Sequence, residues 1–105
     1  MYTKEEKLEI ANTIMRQLGT THNKLSLMIG AKNFVLTEAG VAFKFKSNRG
    51  INYIKIQLNS NDLYDVTYKS VRGVKTNITK KFSQDLYADM LKNDIEQTIG
   101  LYLSL

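Results

Sequence analysis

Residues 41–58 read VAFKFKSNRGINYIKIQL, and apolar and polar side chains take turns along them with few breaks. A period of two sends successive side chains to opposite faces of an extended strand, so this stretch excludes helix and demands a sheet with two unlike faces. Val41, Phe43 and Phe45 share one side, and Lys44 and Lys46 the other. After a turn at residues 47–50, Ile54, Ile56 and Leu58 continue the apolar side, while Tyr53, Lys55 and Gln57 lie opposite. The pattern extends both ways. Phe34 and Leu36 precede it across a turn at 38–40, and Tyr64, Val66 and Tyr68 follow a turn at 59–62. Val74, Thr76 and Ile78 suggest a fifth strand, entered through Arg72 and Gly73. Short turns between consecutive strands imply an antiparallel meander.

The flanks have a different period. Thr3 and Glu6 form a capping box, the threonine oxygen taking the amide of the third helical residue while the glutamate reaches back. Leu8, Ala11, Ile14, Met15 and Leu18 then recur at spacings of three and four, and Gly19 can end the helix in a left-handed conformation. Residues 20–24 read as a polar connector, and 24–31 could be either a short helix or a strand. Ser83 can cap a second helix with Asp85 in its first turn, Leu86, Met90, Leu91, Ile95 and Ile99 on its buried stripe, and Gly100 at its end. The apolar tail at 101–105 should dock on the sheet or helix, or meet a second subunit in a homodimer. The fold expected for 1–105 is one α+β domain of two layers. An antiparallel four- to five-stranded meander would carry an N-terminal and a C-terminal helix on one face.

With helices on one face, the other is wet, and charge is concentrated there. Residues 1–40 carry five basic and four acidic side chains, 41–84 nine and two, and 85–105 one and four, giving +1, +7 and −3. Alternation places Lys44, Lys46, Tyr53, Lys55, Gln57, Thr67, Lys69 and Lys75 on the wet face, with Arg49 and Arg72 in turns at its rim. Only Asp65 breaks the sign. Such a patch suits a phosphate backbone, and an aromatic among lysines offers a base a surface to stack on. Exposed lysine also solubilises a sheet and discourages edge pairing, so the two readings stand side by side.

Catalytic and metal chemistry find little to work with. The chain has no cysteine and one histidine, His22, in the polar connector. That removes thiolate nucleophiles, disulfides and cysteine metal sites, and leaves no histidine cluster. Asp85 and Asp89, four apart, could share a helix face, but serve more simply at the positive end of the helix dipole. Asp62 should bond turn amides. No G-x-S-x-G elbow or phosphate-binding glycine loop is present. No cofactor and no enzymatic activity are expected. The charged N-terminus lacks a signal peptide's apolar stretch, and no segment is long enough to span a bilayer, which points to a cytoplasmic protein away from membranes.

Met28-Ile29-Gly30-Ala31-Lys32-Asn33-Phe34, Gly40-Val41-Ala42-Phe43-Lys44-Phe45, Tyr87-Ala88-Asp89-Met90-Leu91 and the terminal Gly100-Leu101-Tyr102-Leu103-Ser104-Leu105 resemble a family of small proteins, about a hundred residues long, encoded by phages, prophages and conjugative elements. Ile29 and Ile99 stand where that pattern has threonine. The resemblance implies a mobile-element origin in a bacterial host's cytoplasm and a C-terminus that belongs to the fold, and it supplies no catalytic residues. By analogy, such proteins act by binding nucleic acid or a host enzyme. Gly30, Lys32 and Asn33 form a second candidate contact, since small residues let a neighbour approach. The leading expectation is nucleic-acid binding through Lys44, Lys46, Arg49, Tyr53, Lys55, Lys69, Arg72 and Lys75. The rival is an inhibitor or adaptor that meets an acidic surface on a host defence or replication protein.

Overall fold

The capping box at Thr3 starts the fold. In the computed structural model, which describes residues 2–46, 50–74 and 76–103 but not the side chains of His22 and Asn23, the Thr3 oxygen accepts from the Glu6 amide at 3.1 Å and the Glu6 carboxylate from the Thr3 amide at 2.9 Å. Helix α1 runs Lys4–Gln17. Its buried stripe begins at Ala11 and continues through Ile14, Met15 and Leu18, whereas Leu8 is half exposed. Gly19, with φ +67°, reverses the chain.

The polar connector is shorter than the sequence suggests. Thr21 accepts from the Lys24 amide and caps a second helix, α2 (His22–Ile29), so His22 opens a helix rather than sitting in a loop. Leu25 and Ile29 face the core. The left-handed Gly30 ends α2, its amide donating to Ser26 O.

The sheet follows as five antiparallel strands in sequence order: β1 (Lys32–Thr37), β2 (Gly40–Lys44), β3 (Tyr53–Leu58), β4 (Tyr64–Arg72) and β5 (Thr76–Leu86). Helix α3 (Ala88–Ile99) closes the chain. The helices pack on one face of the sheet, as alternation requires. Val41, Phe43, Ile54, Ile56, Val66 and Tyr68 from β2, β3 and β4 meet Ile14, Leu18, Leu25, Leu91, Ile95 and Ile99 in one core with almost no solvent exposure. Leu103 is fully buried and its amide donates to Glu96, so the tail docks on α3's side of the core through Leu103, and Ser104 and Leu105 lie outside the described residues. No helix among the described residues is long and apolar enough to cross a membrane.

The largest departure from the sequence reading lies at residues 79–87. Ser83 does not cap a helix. It is buried in β5 opposite Val66, and the strand continues to Leu86 because all of β4 offers it a hydrogen-bonding partner. Two register shifts let the longer β5 follow β4, one of them at Lys80. Asp85 is the penultimate residue of β5, at φ +57°, so it lies outside α3 and does not share a helix face with Asp89. Tyr87 precedes α3 without a side-chain cap, and Met90 lies on the exposed side. Val74, taken for a strand residue, is fully exposed in the turn after Gly73.

Candidate nucleic-acid interface

Cross-strand register decides which side chains gather, because directly opposed residues share a face. Lys32, Lys44, Tyr53, Lys69 and Thr79 are successive partners across β1 to β5 and form one line over the face without helices. The next line is Val35, Ala42, Lys55, Thr67 and Phe82. Lys44, Lys55 and Lys69 are half-buried, as expected of long side chains that lay their stems on a sheet and keep the charged end in water. Ala42 is only 1 % exposed, being small among longer neighbours.

Charge on this face is uncompensated at one end. Among the described residues, Lys32, Lys44, Lys55 and Lys69 form no ion pair, unlike Lys7 with Glu38 and Lys81 with Asp94, and Lys69 instead places its Nζ 5.8 Å from the Tyr53 ring centroid. At the other end lies Asp65, opposite Gln57. Its carboxylate accepts from the Asn59 amide at 2.9 Å and from the Asp85 backbone N–H at 3.0 Å, and Asn59 also donates to the Asp85 carboxylate at 2.7 Å. The face therefore runs from cationic to anionic along the strands. Asn59 also takes the turn role expected of Asp62, its Oδ1 accepting from the Asn61 and Leu63 amides. Asp62 adopts φ +59° and, with Glu6 and Glu9, lines a shallow groove beside α1.

The proposed contacts divide. Lys44, Tyr53, Lys55 and Lys69 come together. Lys46 follows β2, exposed, its stem against Gly30. Arg72 is the last residue of β4 rather than part of a turn, and three positions beyond Lys69 it alternates to the opposite side. Arg49 and Lys75 lie outside the described residues. Of the second set, Gly30 and Asn33 have backbone roles, with φ of +67° and +57°. Asn33 lies in the irregularity between Lys32 and Val35 that leaves Lys32 opposite Lys44, so Lys32 belongs to the basic line.

Sequence reasoning missed Phe82, which is 54 % exposed on this face. The run from Thr76 to Phe82 has no glycine or other turn residue except Asn77, and that would have signalled a long strand.

The helix side carries polar chemistry of another kind. The Tyr68 hydroxyl donates to Asp94 at 2.6 Å, and Lys81, 3.6 Å from the same carboxylate, donates to Thr98 at 2.7 Å. Burial first, then the bond to Asp94, pushes the Tyr68 phenol well above its usual range. This network ties α3 to β4 and β5. No group of three or more histidine, aspartate or glutamate side chains able to hold a metal gathers among the described residues. No protein-family model, curated protein or solved structure matches the chain.

Proposed function

We propose that the protein is a non-enzymatic binding protein that engages nucleic acid through the helix-free face of its sheet. One observation carries this reading: four lysines from four strands, Lys32, Lys44, Lys55 and Lys69, lie on one uncovered face with no described carboxylate paired to any of them. A face that served solubility alone would work as well with mixed signs. Clustered cations of one sign favour a polyanion, because each phosphate they neutralise releases a condensed counterion. Contacts would fall mainly on phosphate, with little base-pair preference. The resemblance to small proteins of phages and conjugative elements belongs to the same proposal, in which the target would be met in a bacterial cytoplasm.

The test is a salt titration of binding to single- and double-stranded DNA by the intact protein, beside Lys44→Glu and Lys55→Glu. Wild-type affinity should fall by about 0.9 log unit per phosphate contact for each decade of salt on duplex, and each reversal should weaken binding and flatten that slope. Equal affinity in all three proteins would remove the proposal. Retention of one host protein after nuclease treatment, with no oligonucleotide bound at low salt, would transfer the same face to the acidic-partner reading.

A further inference from the structure

We infer that the face takes single-stranded nucleic acid, with bases stacked on Phe82 and Tyr53 while the lysines hold the phosphates, an inference that rests on the basic-face reading and narrows it. Phosphate contact cannot distinguish a single strand from a duplex, since both present the same anion. The rings can. Phe82 stands more than half exposed on the same face as Lys55, two strands away and joined to it through Thr67. It adds an aromatic face to a surface whose charge is set by Lys55 and Lys69. Tyr53 lies one line over, between Lys44 and Lys69. The two backbone positions are about 12 Å apart by strand spacing and rise, with the small Thr67 in the nearer line, so an extended strand could reach both rings.

A duplex buries the faces of its bases in its own stack, whereas an unpaired strand offers each of them to a ring. The Lys69 ammonium now sits over Tyr53. That contact is weak at a wet site, and a stacking base outcompetes it, freeing the ammonium for the adjacent phosphate. The bound chemistry is therefore an unpaired base on a phosphodiester chain, which either DNA or RNA can supply.

The test compares four ligands at low salt by fluorescence anisotropy: twenty-nucleotide oligothymidylate, oligouridylate of the same length, an abasic phosphodiester chain of equal charge, and a duplex of matched length. Oligothymidylate or oligouridylate should bind about tenfold or more tighter than the abasic chain. Phe82→Leu, which keeps bulk and strand propensity without the π face, should bring the base-containing ligand part of the way to the abasic value, leaving the share that Tyr53 carries, and Phe82→Tyr should restore it. Oligodeoxyuridylate set beside oligouridylate, which differ only in the 2′-hydroxyl, names the sugar. Equal binding of abasic and base-containing chains, or tighter binding of duplex, with Lys55→Glu still weakening every ligand, would overturn the stacking inference and leave the basic face standing. Failure of every ligand to bind would overturn both.

Discussion

The two faces of the sheet are cut from the same strands, yet they obey different physics. On the helix side, Ile54, Ile56, Val66 and Tyr68 are wholly buried, and the cation that reaches it from β5, Lys81, meets Asp94. On the other side, Lys55 and Lys69 alternate with those same residues, Lys44 alternates with Phe43 and Phe45, and none of the three meets a described carboxylate. The first face is held by close packing, where a missing methylene leaves a cavity. The second tolerates substitution in the folded state and is exposed to whatever charge approaches. One backbone thus separates stability from recognition, and substitutions should separate them too.

The most damaging change should strike the backbone that both faces share. A β-carbon at Gly40 would lie 1.8 Å from the Ile56 carbonyl oxygen, so Gly40→Ala must push β2 away from β3. A loss of more than about 3 kcal/mol is expected in urea denaturation, with binding lost alongside. Wild-type stability in this variant would break the claim that the two strands are locked at that point.

Next comes a change confined to the helix side. Tyr68→Phe removes the hydrogen bond to Asp94 and should cost about 1.5–3 kcal/mol while leaving oligonucleotide affinity unchanged. It also has a pH signature. Because the folded phenol is held above its usual 10.0, the unfolded chain loses this proton first. The contribution is therefore complete below about pH 10 and shrinks as pH rises beyond it. Wild type should lose stability steeply in alkali, and Tyr68→Phe should flatten that decline. An absorbance titration should show the Tyr68 phenol ionising only as the protein unfolds.

The opposite pattern should follow a change on the bare face. Lys55→Glu should weaken binding about tenfold at low salt, near 1.4 kcal/mol, and move thermal stability by no more than about 0.5 kcal/mol. A large stability loss would mean that this lysine packs rather than recognises. The smallest effect belongs to a residue remote from both faces. Thr3→Ala removes the cap of α1 and should cost about 1 kcal/mol in denaturation, with binding intact.

Legibility in the sequence follows the range of the cause. The capping box, the left-handed Gly19 and the meander's alternation are written in neighbouring residues, and each holds in the structure. The junction from β5 to α3 is not legible locally, because Ser83 is an ordinary helix cap by local rules, and what keeps it in a strand is Val66 on β4, seventeen positions back. The same pairing brings out Phe82, and the irregularity at Asn33 brings Lys32 opposite Lys44. Neither shift leaves a mark on the local period. Arg72 shows the reverse error, since a basic residue beside a glycine looks like a turn until β4 is counted through to its end.

What the chain alone determined is the two-faced sheet, the first helix and the concentration of positive charge between residues 41 and 84, since backbone sterics and hydrophobic periodicity act within a few residues. The tertiary structure decided which cations stand together, which one is neutralised and which ring is left uncovered. Those outcomes depend on cross-strand register and on where the helices lie, and register is set by bulges and partner strands distant in sequence.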